Sequence, residues 1–203
     1  MDRLSFNAMA AINEDRLIRQ QLSNDIANVT TVGFKQTFEA TIQPHQAVGE
    51  GFDSRLQPRL YTTDRVRLDA GPLMVTGRDL DVSLNNKTVM GVMGNDGKLA
   101  FTRRGDLRVN PNGVLETGSG HMVQGQDGGP ITIPVGSRIN ITKTGEIFAS
   151  DPTQQGVPQE QLIGTLMLRD ASTTHLIKRE DGLFRVDEKP LGTDFATGPE
   201  PVS

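Results

Sequence analysis

SNDIANVTTVGFKQ, Ser23 to Gln36, is the stretch where this chain changes character. Before it, apolar residues recur every three or four positions; after it, glycine, proline and short β-branched runs take over. Gly33 is the first glycine, and no proline precedes it. Asn24 and Asn28 stand one helical turn apart, and the β-branched residues after them favour leaving a helix. Gly33 permits a positive φ there, and Phe34 is predicted to anchor the turn on apolar neighbours. The stretch reads as a joint between a helix and a different kind of unit.

Upstream, Leu4, Ala8, Ala11, Ile12, Ile18, Leu22, Ile26 and Val29 predict one helix over residues 2–28. The stripe is thin, and Asp15 and Asp25 fall on or near it. A lone helix of this kind is marginal in water. Its apolar face, Leu4, Ala8, Ala11, Ile18, Leu22 and Ile26, needs a partner, and no other segment of this chain has matching length. An exposed stripe of that kind points to assembly with other chains.

Downstream, residues 40–58 carry Pro44, Gly49, Gly51 and Pro58 with little periodicity, and read as an irregular linker or an ordered excursion. From residue 59 short strands are predicted: 59–68, 79–84, 88–93, 98–103, 106–110, 121–124, 131–134, 138–142, 146–150, 161–170, 175–179 and 183–186. Asn95-Asp96-Gly97, Pro111-Asn112-Gly113, Asp127-Gly128-Gly129, Thr144-Gly145 and Asp181-Gly182 separate them, as tight hairpin turns require. The expected fold is mainly β with a long N-terminal α-helix, its antiparallel β unit forming a barrel or sandwich. The expected divisions are an axial helix with its motif (1–35), a linker or extended segment (36–68), the β domain (69–190) and a loop tail (191–203).

Composition narrows the function. The formal net charge of −4, with signs mixed along 203 residues, argues against a nucleic-acid partner, which needs a basic face. One Tyr and no Trp leave few platforms for stacking bases or sugars. Cys is absent, which excludes disulfide and thiol chemistry. The N-terminal twenty residues have no continuous apolar core and do not read as a secretory signal; no transmembrane run occurs.

Catalytic patterns are lacking. His45, His121 and His175 are far apart and have no cysteine to complete a zinc set. Asp79 and Asp81 form a DxD, but in a strand both would share a polar face opposite Leu80, Val82 and Leu84. The Gly118-Ser119-Gly120 and Gly128-Gly129 clusters do not open a helix and match no phosphate-binding pattern. Arg103-Arg104 reads as a short basic cluster facing solvent or a neighbouring protein. No cofactor, metal or small-molecule substrate is expected. A cell-wall glycosidase would need paired carboxylates across a cleft, and a glycan-binding module would need aromatics. Both are weaker readings than a structural protein.

Asn24, Ile26, Ala27, Asn28, Val29, Thr31, Gly33, Phe34 and Lys35 resemble the N-terminal signature of bacterial flagellar axial proteins, which build the rod, hook and filament junction. Thr76, Gly77, Arg78, Leu80, Asp81 and Val82, within TGRDLDVSL, look like the family's opening β segment. Thr102, Arg103 and Gly105, within FTRRGDLRVNPNGVLET, resemble its F/Y-T-R-x-G hairpin. GGPITIP, TKTGEIFA and REDGLFRV fit later hairpins, so the likeness runs from Met1 to about Val186. It is strongest to the proximal rod members, with a distal rod or hook relative as the alternative. The resemblance implies a non-enzymatic subunit that polymerises with itself and other rod and hook proteins through terminal helices. It also implies a second helix beyond Ser203, export by the flagellar type III apparatus without a cleaved signal, and a place in the basal-body rod across the periplasm, with no membrane insertion.

Overall fold

The computed structural model describes residues 2–36, 39–46, 56–63, 65–69, 71, 73, 75–85, 87–153 and 159–195, with backbone alone at 2–7, 39–46 and 56–63. One helix, α1 (Asp2–Ala27), precedes twelve strands among the described residues. It ends one residue short of the predicted boundary.

The segment read as irregular contains a hairpin. β1 (Glu39–Gln46) pairs antiparallel with β2 (Leu56–Thr63), with Pro44 opposite Pro58. The prolines obscured this in the sequence, because proline normally demotes a strand assignment. Of the predicted strand over 59–68, only the part up to Thr63 is ladder, with a single bridge from Arg65 to Ile177 beyond it. Residues 47–55 lie outside the described residues.

The remaining strands are β3 (Thr88–Met93), β4 (Leu99–Thr102), β5 (Leu107–Val109), β6 (Leu115–Thr117), β7 (Arg138–Ile141), β8 (Glu146–Ser150), β9 (Gln161–Thr165), β10 (Leu168–Asp170), β11 (Leu176–Lys178) and β12 (Phe184–Val186). A five-stranded sheet runs β10-β3-β4-β12-β11, a three-stranded sheet β7-β8-β9, and β5-β6 form a separate hairpin. All these pairs are antiparallel. The predicted turn glycines Gly97, Gly113, Gly128, Gly145 and Gly182 all adopt positive φ.

Alternation along β3 and β4 explains the packing. Met90, Val92 and Ala100 face a core shared with Leu107 and Leu115 of the hairpin and with Ile139, Ile147 and Ala149 of the three-stranded sheet. Val89 and Phe101 point the other way, joining Leu68, Ala171, Leu176, Phe184 and Val186. There the Phe195 ring meets Phe101 edge-on, with centroids 4.8 Å apart. The five-stranded sheet is thus covered on both faces.

The described strands do not close into a barrel. The sheet ends at β11, where incoming chain occupies the edge: Val66 N donates to Leu176 O at 2.8 Å. Three further expectations are corrected. Residues 79–84 are no strand: a turn at 79–80 leads to isolated bridges at Asp81 and Leu84. Leu80 and Val82 still pack on the core beside buried Leu84, so the alternation recorded packing without a ladder. Residues 121–124 and 131–134 make single bridges, including Val92 to Val123 and Val114 to Thr132, because their partners change from residue to residue. The predicted strand over 161–170 is two, since the chain leaves the three-stranded sheet at Thr165 and enters the five-stranded one at Leu168. Between them, Met167 O accepts from Gly91 N at 2.8 Å. A Cβ on Gly91 would stand 2.6 Å from the Met167 sulfur, so a larger residue here would have to displace the Met167 side chain.

Candidate assembly site: the helix and its joint

Every described residue of the predicted apolar face is exposed: Ala8, Ala11, Ile18 at 37%, Leu22 at 56% and Ile26 at 63%. The side chain of Leu4 lies outside the described residues. The half-covered positions of α1 are Ala10, Glu14, Gln21 and Asp25, and the helix runs beside β2. At 100° per residue these positions centre about a quarter turn from the apolar stripe. The helix therefore meets its own chain on a mainly polar side and leaves its hydrophobic side open.

Asp25, which the sequence put on or near the stripe, belongs to this polar side. Its carboxylate accepts from Gln21 Nε2 at 2.9 Å and from Gln36 Nε2 at 2.8 Å. Gln36 O in turn accepts from Arg67 N at 2.8 Å. One carboxylate thus ties the last helical turns to the chain leaving the joint and, through it, to the segment returning past the hairpin.

The two asparagines bond to each other. Asn28 Nδ2 donates to Asn24 O at 2.9 Å and to Asn24 Oδ1 at 3.0 Å, which closes the end of α1. Two turns follow, Thr31 N to Asn28 O at 2.9 Å and Phe34 N to Thr31 O at 3.1 Å. Gly33 has φ of 70°, as expected, and also a steric reason. A Cβ there would lie 2.7 Å from both N and Cα of Arg104. The joint rests directly on backbone.

Phe34 is half-buried, and Lys178 Nζ stands 4.8 Å from its ring centre. Lys35 donates to the backbone oxygen of Asp69. Burial lowers the pKa of its ammonium, the charge of Arg103 adds to that, and Asp69 partly offsets both. A cleft of about 150 Å³ lies along this seam, lined by Asn28, Phe34, Arg104, His121 and Lys178 among others.

The seat under Gly33 is where the other two motif segments meet. Val82 N donates to Gly105 O at 2.9 Å, Leu107 N to Leu80 O at 3.3 Å, and Arg78 Nη2 to Leu107 O at 3.1 Å. Arg78 also approaches Asp81 at 3.6 Å. A Cβ on Gly105 would fall 1.8 Å from Val82 O, so this position admits only glycine. Thr102 is buried; Thr76 and Gly77 are exposed and stand apart from the cluster.

The arginine pair does not form an outward basic patch. Arg103 donates from Nη1 to Thr88 O at 3.0 Å and from Nη2 to Leu84 O at 2.7 Å, and burial lowers its pKa. Arg104 forks onto Asp106, with Nε to Oδ1 at 2.7 Å and Nη2 to Oδ2 at 2.9 Å. Sequence reasoning gave Arg104, Asp106, Lys178 and Gln36 no role in the joint. Gln36 closes the stretch read as the joint, and Arg104 and Asp106 lie inside the FTRRGDLRV segment; Lys178 becomes visible only through long-range packing. Among the described residues, no group of three or more His, Asp or Glu gathers as a metal site, and no helix is long and apolar enough to cross a membrane.

An exposed apolar stripe on a helix that runs beside the β1–β2 hairpin, with its joint resting on a β unit, fits a filament-type structural protein. Residues 87–149, from the head of the five-stranded sheet into β8, match the model of the flagellar hook protein FlgE/F/G D1 domain. The flagellar basal-body rod protein FlgF of Salmonella typhimurium is 34% identical over 190 residues, covering 92% of this chain and 72% of that protein. FlgF of Escherichia coli is 30% identical over 195 residues, with 95% and 75% covered. The rod protein FlgG of Buchnera aphidicola (subsp. Baizongia pistaciae) is 30% identical over 210 residues, with 97% and 76% covered. The chain belongs to the flagellar basal-body rod protein family, and within it is most like FlgF.

Proposed function

We propose that this chain is a structural subunit of the flagellar rod that polymerises with copies of itself and with other axial proteins through the apolar face of α1. The observation that carries this is the position of Ile18, Leu22 and Ile26: exposed, in line, and on a stripe centred about a quarter turn from the side where the helix meets its own chain. Burying such side chains at a contact contributes about 1.5–3 kcal/mol each. The β unit then forms the outer part of the subunit, its two larger sheets opposed as a sandwich over their common core. The unit boundaries follow the joint: helix and motif over 1–35, connecting hairpin over 36–68, β domain over 69–190. Basal-body membership of the relatives supports a place in the rod shaft, spanning the periplasm and reached by type III export, with a mechanical and not an enzymatic role.

The test is assembly in cells. A full-length variant carrying Ile18→Asp and Leu22→Asp is expected to be made and to fold its β unit, yet to be missing from purified basal bodies. Normal incorporation of that variant would refute the proposal.

A further inference from the structure

The backbone at Arg103 and Arg104 is held from three directions, and Gly33 sits on the side that remains. Arg104 N donates to Thr102 Oγ1 at 3.1 Å, which sets the bend after β4. The Arg103 guanidinium reaches into the sheet and clamps Leu84 O and Thr88 O. The Arg104 guanidinium turns the other way, and its fork on Asp106 lies against Gly118, where a Cβ would stand 2.0 Å from Asp106 Oδ2 and 3.3 Å from Arg104 Nη2. Gly118 N closes the arrangement on Asp106 O at 2.7 Å.

These contacts use both arginine side chains inside one chain. Their shared product is a rigid backbone step, and that step is what the glycine of the helix joint touches. We propose that Arg103 and Arg104 are positioning residues for the assembly helix: they brace the step on which Gly33 rests, and so fix the angle at which α1 leaves the β unit. A helix that must present its stripe to a neighbour at one pitch needs its angle set before contact, since preorganisation lowers the ordering cost of association. The Lys178–Phe34 contact and the Asp25–Gln36 hydrogen bond act beside the step as side-chain ties. The idea rests on the reading of α1 as the assembly element.

The chain has no cysteine, which makes a direct test simple. Gln20 on α1 and Lys143 on the β unit are both exposed. Gln20→Cys and Lys143→Cys in the full chain accept nitroxide labels, and pulsed electron paramagnetic resonance reads the distance between them. The parent is expected to give one narrow distance. Arg104→Lys, which keeps the charge and loses the fork, and Gly33→Ala, which forces the joint off the step, are each expected to lose that single peak while the β unit keeps its melting temperature. An unchanged narrow peak in both variants would overturn the proposal. So would a broad parent distribution, or broadening that appears only together with a lower β-unit melting temperature. Leu22→Asp serves as the control. It is expected to keep the narrow peak and to prevent assembly, so failure of the stripe and failure of the brace give different results.

Discussion

The ammonium of Lys178 stands 4.8 Å from the centre of the Phe34 ring, joining the last strand pair of the β unit to the motif that ends the helix. The contact spans residues far apart in sequence, and neither partner is fully buried. Such a pair contributes about 0.5–1 kcal/mol at a partly exposed site. Lys178→Met keeps the aliphatic stem and removes the charge. It is expected to speed proteolytic cleavage between residues 28 and 36 without changing the unfolding midpoint of the β unit, as limited digestion followed by mass spectrometry would show.

Gly105 and Gly97 separate steric from conformational demands. Gly97 has φ of 70° with open space where a Cβ would go, so Gly97→Ala is expected to cost about 1–2 kcal/mol through backbone strain alone. Gly105 has Val82 O at 1.8 Å from the same place, and backbone cannot step aside as a side chain can. Gly105→Ala is expected to cost about 3 kcal/mol or more, as large local overpacking does. Urea unfolding of both variants checks the order, and a smaller loss at Gly105 would contradict the close approach.

Acid should weaken the chain at Asp194. Burial there pushes the carboxyl pKa up, but hydrogen bonds from Arg169 at 2.9 and 2.8 Å and from Phe195 N, with the charge of Arg169, outweigh it and hold the value below 3.8. A lowered folded-state pKa means stability that is present above the unfolded value and is lost as pH falls through the folded one. The loss is therefore expected as pH falls below about 4. Asp194→Asn should flatten that acid limb, as melting temperatures from pH 6 to pH 2 would reveal. Its carboxylate is partly in water, so the slope is modest.

A milder change on the stripe tests its energetics. Leu22→Ser removes one exposed apolar group that assembly would cover. The concentration needed for polymerisation, read by sedimentation, is expected to rise about ten- to a hundredfold. Thermal unfolding of the β unit should be unaffected, since Leu22 does not contribute to its core.

The helix was legible because its spacing of three and four recurs from Leu4 to Val29, with Asp15 filling the one gap between Ala11 and Ile18. The hairpin turns were legible because Asp-Gly and Asn-Gly sequences carry their own backbone preference. The β1–β2 ribbon was hidden by Pro44 and Pro58. The run at 79–84 misled in the other direction: Leu80, Val82 and Leu84 alternate because they pack on the core, and packing alone can impose a period of two. The joint was half visible. Gly33 announced a positive φ, yet its second constraint comes from Arg104, about seventy residues away, and local pattern does not encode that contact. Neighbouring Arg103 and Arg104 looked like one exposed charge cluster, whereas their side chains diverge to separate partners.

The facing pair Pro44 and Pro58 also bears on what this chain avoids. In an antiparallel ladder a cross-strand pair either exchanges its amide hydrogen bonds or turns those groups outward. Two prolines cannot exchange, so they occupy an outward-turned pair, and at that level both rims of the ribbon lack a donor. A foreign strand laid along either rim would find its ladder broken at the same height. Polymer growth by sheet extension is discouraged on this element, which agrees with the proposal that self-association runs through the helix.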